Sequence, residues 1–247
     1  MNVTIIGASH GIGRELAYQY HALGHFVNLF ARDKNALEAI KSDLKANVEI
    51  FELDVLDEEK AINLLGKLND IDLFIYCAGT YKPMASYAIN LDEAKKIAQV
   101  NFNAVIPCLD VVIPKMIAKK SGHIALVASV AGYFGMPQSF TYGASKAALI
   151  NLAETLYAEL EQFNINVSVI NPGFVKTRLT DLNKFKMPAI ISVEDAAKEI
   201  IKGLNKKKFE IHFPKKFTLW LKFFKILPYQ ILLSFTSKIA KKNSKHN

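Results

Sequence analysis

Short apolar runs alternate with amphipathic stretches along most of this 247-residue chain. Apolar runs of four to seven residues are typical of buried strands, and the stretches between them show the 3.6-residue period of helices. The predicted strands are 3–6, 25–31, 48–53, 71–77, 124–127 and 165–170. The predicted helices are 14–23, 34–45, 58–68, 93–117 and 147–160, and we expect Pro107 and Pro114 to bend or divide the fourth of them.

Strands that alternate with helices predict an α/β fold, a Rossmann-type doubly wound parallel sheet with helices on both faces. Sheets of this kind bind ligands outside the carboxyl ends of their strands. Six conspicuous residues lie at predicted strand ends, namely Gly7, Arg32, Asp54, Gly79, Ser129 and Pro172. We therefore expect one site along this edge of the sheet.

The glycine-rich turn Gly7-Ala-Ser-His-Gly-Ile-Gly13 directly follows the first strand and precedes a helix. Glycines permit a tight turn and let the backbone approach a pyrophosphate, and the helix N-terminus adds free N–H groups. This context predicts a dinucleotide site. The simpler alternative is a turn that only joins two elements.

The second strand ends at Arg32-Asp33, which bears on the choice of cofactor. An acid at this point would bind the ribose 2′-hydroxyl of NAD, whereas an arginine would accept the 2′-phosphate of NADP. Arg32 therefore favours NADP(H), and Asp33, one residue later, keeps NAD(H) as the alternative. His10 is either a second contact to the phosphate or a surface residue of the loop.

A candidate for proton transfer lies further along the chain. Ser129 follows a strand, while Tyr142 and Lys146 stand one helical turn apart on the same face. An ammonium near a phenol favours the phenolate, and a phenol tuned in this way can exchange a proton with an alcohol or a ketone. Nine tyrosines and 28 lysines produce such a spacing about once by chance, so the residues around the pair decide its weight.

With these residues together, the chain resembles the short-chain dehydrogenase/reductase family over about residues 2–203. The shared pattern is, in order, Gly7-x-x-x-Gly11-x-Gly13, Asp54, Ala78-Gly79, Asn101, Ser129, Tyr142-x-x-x-Lys146 and Pro172-Gly173. The resemblance implies an oxidoreductase that interconverts a carbonyl and a secondary alcohol, and Arg32 favours NADP(H) as its cofactor. Ile6 and Cys77 stand where the family usually has Thr and Asn, which are thought to tie neighbouring strands together.

The resemblance also implies roles for individual residues. Tyr142 would be the general acid or base, and Ser129 would hydrogen-bond the substrate oxygen. Lys146 would hold the nicotinamide ribose and lower the pKa of Tyr142, while Asn101 would place a water in a proton relay. The implied cofactor contacts, with Asp54 near the adenine and Thr177 near the carboxamide, are Gly7, Ser9, His10, Gly11, Ile12, Gly13, Arg32, Asp54, Val55, Ala78, Gly79, Tyr142, Lys146, Pro172, Gly173, Val175 and Thr177.

Composition adds limits to this interpretation. Hydrophobic residues make up 51% of the chain, which suits a folded α/β protein. A strand begins at Val3, so we expect no signal peptide. Cys77 and Cys108 are too few for a zinc site, and we expect no metal and two buried free thiols, as in a reducing cytoplasm.

The net charge of +8 is concentrated in the tail. Residues 205–247 contain eleven lysines and a single acid, Glu210, so the rest of the chain is slightly negative. We therefore predict a Rossmann-fold catalytic domain over 1–203 and a basic amphipathic extension over 204–247. A short strand within 206–214 would open this extension.

The extension predicts two amphipathic helices on either side of Pro228. On the first, Phe217, Trp220, Leu221, Phe224 and Leu227 share one face and Thr218, Lys222 and Lys225 another. On the second, Ile231, Leu232, Phe235 and Ile239 lie opposite Gln230, Ser234, Ser237 and Lys241. The longest uncharged run of this tail, Ile226 to Ser237, is too short to cross a bilayer, which takes about 20 residues.

Residues 215–242 suit the surface of an anionic membrane, so we expect a cytoplasmic protein that is peripheral on the cytoplasmic membrane face. The alternative is that the apolar faces pack on the protein's own core or across a dimer. No nucleic-acid motif is present, and we expect no such partner. The resemblance implies a homodimer or homotetramer.

The segment 174–192 is the predicted substrate loop, and it mixes apolar with basic residues. An apolar, lipid-like carbonyl or alcohol would suit both this loop and the tail. The competing class of function is a catalytically silent NADP-binding sensor or a membrane-associated scaffold with the same fold.

Overall fold

The computed structural model describes residues 1–182 and 187–244, with side chains to residue 241. Residues 183–186 of the predicted substrate loop lie outside the described residues. In the described part of the chain one parallel sheet is formed by β1 (Asn2–Ile6), β2 (Phe26–Ala31), β3 (Val48–Glu52), β4 (Leu73–Tyr76), β5 (Gly122–Val127), β6 (Ile165–Pro172) and β7 (Glu210–Phe213). The strand order is β3-β2-β1-β4-β5-β6-β7.

The helices alternate with these strands. They are α1 (Gly11–Ala22), α2 (Lys34–Leu44), α3 (Glu58–Gly66), α4 (Leu91–Ala98), α5 (Val105–Lys119), α6 (Phe140–Leu160), α7 (Val193–Asn205), α8 (Lys215–Lys225) and α9 (Tyr229–Ser244). Asp33, Asp57, Asn90 and Ser192 cap four of them by accepting a backbone N–H from three residues on. Such caps satisfy N–H groups that have no partner inside the helix.

Two apolar cores lie on opposite faces of the sheet. One contains Leu16 of α1, Leu37 of α2 and Ile200 of α7. The other contains Val112 of α5 and Leu149 of α6. The prediction of a doubly wound sheet is therefore confirmed. Because the strand order reverses between β1 and β4, a crevice opens there at the carboxyl ends of the strands.

The stretch predicted as one helix over 93–117 is divided, but not by its prolines. α4 continues into a π-helical turn, Gln99–Asn103, before α5 begins. Pro107 lies in the first turn of α5, where a missing N–H costs little, and Pro114 is accommodated inside the helix. The expectation that these prolines divide the helix is wrong. The division falls at the turn that carries Asn101.

The combined segment Leu91–Lys119 is long and apolar enough to cross a membrane by length and composition. Half of its most apolar stretch is buried inside the fold, however. Val105, Cys108 and Val112 belong to the core beneath the sheet. Core helices of this kind pass the same test, so we interpret the segment as part of the protein interior.

The C-terminal residues are tied to the body of the protein. β7 pairs with β6, so the sheet extends past the predicted boundary at residue 203. Leu221 of α8 joins the core on the α5–α6 face. Thr218, expected on the polar face of this helix, is fully buried, and that expectation is wrong. Its hydroxyl is hydrogen-bonded inside the protein, 2.6 Å from His212 Nδ1 and 3.1 Å from the Pro214 carbonyl oxygen.

Candidate active site

The glycine turn leaves no room for side chains at two of its positions. Gly7 has a φ of +88°, and a Cβ there would lie 2.6 Å from the Ala78 nitrogen. A Cβ on Gly13 would lie 2.2 Å from the Gly7 carbonyl oxygen. The first turn of α1 has neither an acidic residue nor a side-chain cap. Its N–H groups thus face a backbone cradle that suits a pyrophosphate.

The carboxyl end of β6 closes this cradle from the other side. Thr177 Cγ2 lies 3.3 Å from the position that a Cβ of Gly11 would take. The Thr177 N–H is held by Thr180 Oγ1 at 2.9 Å. Val175 is buried and bridges to Ile191 through the backbone. Thr177, predicted near the nicotinamide, thus lies against the glycine turn.

Two basic side chains lie at the end of β2. The Arg32 guanidinium is largely exposed and 4.0 Å from the Asp54 carboxylate. His10 Nε2 lies 3.4 Å from the Asp33 carboxylate, while His10 Nδ1 contacts the Ser9 carbonyl. Asp33 also accepts the Ala36 N–H at 3.0 Å to cap α2. Its carboxylate is therefore engaged, and Arg32 remains open to solvent beside it.

Ser129, Tyr142 and Lys146 come together where β5 ends and α6 begins. Ser129 caps a short 3₁₀ turn, Val130–Gly132, and its Oγ accepts the Ala131 N–H at 3.1 Å. Tyr142 and Ser129 share a hydrogen bond. Lys146 Nζ donates to the Val127 carbonyl at 2.8 Å and lies 5.7 Å from the centre of the Tyr142 ring. The predicted trio is thus assembled.

The pKa of Tyr142 moves in the direction opposite to the expected one. Burial raises it, and the hydrogen bond from Ser129 opposes that rise. Burial also lowers the pKa of Lys146 to about 8. The expected lowering of the Tyr142 pKa by Lys146 is not present in this structure, because the ammonium is directed at the Val127 carbonyl.

Asn101, in the π-helical turn, joins the loop after β4 to helix α6. Its Oδ1 accepts the Thr80 N–H at 2.7 Å, and its Nδ2 donates to the Thr80 carbonyl at 3.0 Å and to Ser145 Oγ at 3.1 Å. A Cβ on Gly79 would lie 3.5 Å from Asn101 Oδ1 and 3.6 Å from Lys146 Nζ. Both polar atoms therefore face the same space beside Gly79.

Ile6 and Cys77, which depart from the family pattern, still connect neighbouring strands. The Cys77 N–H donates to the Ile6 carbonyl at 2.9 Å, which joins β4 to β1. The Cys77 thiol accepts a hydrogen bond from the Gly13 backbone, and burial raises its pKa to about 11. Cys108 is fully buried, as expected, whereas Cys77 is only partly buried. The thiol thus ties the glycine turn to β4.

The other predicted contacts lie along the same edge. Val55 and Pro172 are buried, and Ile12 packs against the apolar core beneath α1. The Gly173 N–H donates to the Phe213 carbonyl of β7 at 2.7 Å. The remaining predicted positions, Ser9, Ala78 and Gly79, lie in the turns that follow β1 and β4.

Sequence reasoning missed three residues of this site. The Tyr81 ring meets the Tyr142 ring edge-on at 4.8 Å, and burial raises its pKa to about 12. Thr80 and Ser145 are the partners of Asn101. A signal was present, because Thr80 and Tyr81 directly follow Ala78-Gly79, and Ser145 lies one turn after Tyr142.

A second missed group surrounds Glu210 on β7. Its carboxylate accepts from Tyr133 at 2.7 Å and Asn171 at 3.0 Å, and it pairs with Lys222 of α8. Although burial raises the pKa of Glu210, the bonds from these three residues hold it below its usual value. Tyr133 follows Ser129 closely, so this group ties the tail to the loop after β5.

Known proteins resemble this chain in sequence over most of its length. The sequence pattern of the family described as short chain dehydrogenase matches residues 1–187. An uncharacterized oxidoreductase of Myxococcus xanthus is 31% identical over 231 residues, 91% of each chain. The 3-oxoacyl-(acyl-carrier-protein) reductase FabG of Rickettsia bellii is 32% identical over 75% of this chain and 78% of its own.

Solved structures share the fold over nearly the whole chain. A short-chain dehydrogenase of Burkholderia cenocepacia in complex with NADP superposes with a TM-score of 0.85 at 22% identity, over 95% of this chain and 96% of its own. One of Sphingobium yanoikuyae in complex with NADPH gives 0.81 at 24% identity, over 86% and 87%. The chain therefore belongs to the short-chain dehydrogenase family. It is an oxidoreductase that uses a nicotinamide cofactor.

Proposed function

We propose that this protein is an NADP(H)-dependent oxidoreductase that interconverts a carbonyl and a secondary alcohol, with Tyr142 as the general acid or base. The observation that carries the proposal is the hydrogen bond between Tyr142 and Ser129, with the buried Lys146 one helical turn further on. A phenol, a hydroxyl and an ammonium gathered in one buried corner make a proton path. When bound, the nicotinamide supplies or takes up the hydride.

The raised pKa of Tyr142 keeps its phenol protonated at neutral pH. In reduction, Tyr142 and Ser129 would donate hydrogen bonds to the carbonyl oxygen, and Tyr142 would pass its proton as charge develops there. Lys146, with a pKa of about 8, is close to the range in which it can return that proton. The space beside Gly79, faced by Asn101 Oδ1 and Lys146 Nζ, suits a water of the relay.

The surroundings of Arg32 support NADP(H) over NAD(H). Its guanidinium is open to solvent at the end of β2, and His10 lies in the adjoining turn. Asp33, the residue that would favour NAD, is engaged by the α2 N-terminus and by His10. A 2′-phosphate would find two basic groups here and a carboxylate already held elsewhere. With NADPH as the cellular partner, the reaction would run toward reduction.

An apolar, lipid-like substrate is part of the proposal. A cavity of about 450 Å³ lies along the segment between Ser129 and Tyr142. Its lining is mainly apolar and includes Met84, Phe134, Met136 and Phe140. Ser129 and Tyr142 do not line it, so it would hold a chain rather than the reacting carbonyl. The Rickettsia bellii relative, by its name, acts on an acyl chain.

We further propose a homodimer or homotetramer that is cytoplasmic and peripheral on an anionic membrane surface through residues 215–242. The excess of lysines in this segment supports that association.

The test combines melting temperature and turnover. Purified protein is heated with NADPH, NADP⁺, NADH and NAD⁺ at equal concentration, because a ligand of the folded state raises the melting point. Ketones and 3-oxoacyl thioesters of increasing chain length are then offered with the cofactor that stabilises most. We expect the phosphorylated pair to stabilise more and the long-chain substrates to be reduced fastest. No stabilisation by any of the four would favour the membrane-associated scaffold, and stabilisation without turnover of any substrate would favour the silent sensor.

A further inference from the structure

The last two described helices, α8 and α9, are joined by a short connection and pack on each other through aromatic rings. The rings of Phe224 on α8 and Phe235 on α9 stack with centroids 4.3 Å apart. Trp220, one turn earlier on α8, meets Phe235 at 6.2 Å. The connection at Pro228 is short, so the hairpin has a tip near residues 226–231. We name α8, α9 and this connection the C-terminal hairpin.

One face of the C-terminal hairpin is attached to the protein. Leu221, Leu232 and Thr236 are buried, and Thr218 is bonded to His212. Lys222 pairs with Glu210. About half of the apolar residues of the tail therefore pack on the rest of the protein or on one another.

The opposite face is apolar and open to solvent. On α8, Leu219, Trp220, Phe223 and Ile226 recur at a spacing that places them on one side of the helix. Together with the hairpin tip and the start of α9, seven large apolar side chains are 54–78% exposed, namely Leu219, Trp220, Phe223, Ile226, Tyr229, Ile231 and Leu233. We name these seven residues the apolar face. Single exposed apolar residues are ordinary, but seven large ones within residues 219–233 mark an interaction surface.

Charge around the apolar face selects its partner. Lys215 and Lys216 at the start of α8 and Lys238 on α9 are exposed. Lys215 and Lys216 lie at the opposite end of α8 from Ile226; Lys215 is eleven residues from Ile226, about 16 Å along the helix axis. The single acid of residues 205–247, Glu210, is held by Lys222. The surface therefore joins apolar side chains with uncompensated positive charge.

A bilayer with anionic headgroups offers the matching chemistry, which is apolar depth beneath negative phosphates. Trp220 and Tyr229 carry amphipathic rings that suit the headgroup level. A second copy of the chain fits less well, because a symmetric contact through this face would bring two excesses of lysine together.

We propose that the apolar face inserts into the headgroup region of an anionic membrane, with Lys215, Lys216 and Lys238 on the lipid phosphates. This inference rests on the peripheral membrane association proposed above and assigns it to particular side chains. Lys222 and Lys225 take no part, since the first pairs with Glu210 and the second lies over the Tyr133 ring at 5.8 Å.

The experiment uses the full chain and vesicles of phosphatidylcholine, alone or with phosphatidylglycerol. Trp220 is the single tryptophan of the sequence, so its emission reports on this face directly. We expect sedimentation with the anionic vesicles, a blue shift of the emission, and weakening of both by salt. Deletion after Pro214 is a poor variant, because it also removes Leu221 from the core and Lys222 from Glu210.

Point variants separate the apolar face from the rest of the surface. Phe223→Ser with Ile226→Ser should reduce partitioning about tenfold or more, because two large side chains no longer leave water. Lys216→Glu with Lys238→Glu should reduce it severalfold on anionic vesicles only. The control is Leu23→Ser, a residue that is 56% exposed at the end of α1 and should change nothing. An unchanged melting-point shift with NADPH confirms that each variant is folded.

The outcomes are distinct. Equal partitioning of the Phe223/Ile226 variant and wild type would overturn the assignment of the apolar face and leave peripheral association standing. No sedimentation of wild type with either vesicle would overturn both. If that result came with an oligomer that the same variant dissociates, a second copy would be the occupant instead. None of these readouts depends on turnover, so the proposed reaction is judged separately.

Discussion

We name the region that holds Asn101, Ser129, Tyr142, Ser145 and Lys146 the polar corner. The corner and the C-terminal hairpin depart from the usual burial of side chains in opposite ways. In the corner, Asn101, Ser145 and Lys146 are polar yet buried, and each has partners within the protein. On the hairpin, Phe223 and Ile226 are apolar yet exposed. Buried polar groups and exposed apolar patches are the informative exceptions to ordinary protein surfaces.

The difference teaches what each region is prepared to do. Polar groups that the protein itself satisfies are held in one geometry, which suits a proton path that works repeatedly. Apolar groups that the protein leaves exposed cost free energy until something covers them. The polar groups of the corner thus find partners within the chain, whereas the exposed apolar side chains of the hairpin face solvent.

The largest effect is expected when the hydroxyl of Tyr142 is removed from the corner. Tyr142→Phe should lower kcat by about two to four orders of magnitude, because general acid catalysis is lost. Its melting point should not fall much, since only the hydroxyl is removed and the ring keeps its contact with Tyr81. Steady-state kinetics and a melting-point shift with NADPH check both parts. Near-normal turnover would refute the role of Tyr142.

The inner face of the hairpin provides the next test. Leu221→Ala should reduce the free energy of unfolding by about 2–5 kcal/mol, because it leaves a cavity in the core. Leu219→Ala, the same change two residues earlier, should cost about 0.5 kcal/mol or less. Leu221 is 5% exposed and Leu219 is 55% exposed. Urea denaturation of both variants measures the difference; equal losses would show that the two faces are not distinct.

Much of this comparison could be predicted from the sequence. The strand ends, the glycine turn and the spacing of Tyr142 and Lys146 follow from local periodicity and from residues with few alternatives. Gly7 and Gly13 illustrate why, because close backbone approach excludes every other residue there. The glycine turn is evident from the local sequence, although the close contact that requires Gly7 is with Ala78 in the turn after β4.

What could not be predicted depends on how the elements pack in three dimensions. Thr218 looks polar on its helix, and only the fold brings His212 and the Pro214 carbonyl to its hydroxyl. The pKa of Tyr142 follows from its burial and from where the Lys146 ammonium points, which spacing alone does not reveal. The π-helical turn at Asn101 likewise has no sequence signal stronger than the prolines beside it.

A third prediction concerns Arg32, which we propose binds the 2′-phosphate of NADP(H). Arg32→Ala should weaken NADPH binding about tenfold to a hundredfold, as expected for one charge-assisted hydrogen bond. NADH binding should hardly change. The melting-point shifts with the two cofactors measure this, and Lys41→Ala at the far end of α2 is the control. Equal losses for NADPH and NADH would remove Arg32 from the 2′-phosphate.

The smallest effect concerns a buried polar group far from the chemistry. His123, at the start of β5, lies 2.7 Å from Ser168 Oγ. Burial, and to a lesser extent Lys207, lowers its pKa from 6.5 to about 4. Ser168 gives its own proton to the Lys208 carbonyl, so Nε2 of His123 must be the donor in this bond.

Because the folded state keeps His123 neutral, the unfolded chain alone gains a proton as the pH falls below 6.5. Stability is thus lost between pH 6.5 and 4, by about 1 kcal/mol on going from neutral pH to pH ~5.5. His123→Gln can still donate to Ser168 and cannot titrate, so its acid loss should be smaller by this amount. Urea denaturation at the two pH values measures it. Identical pH dependence of variant and wild type would show that the folded protein does not hold His123 neutral.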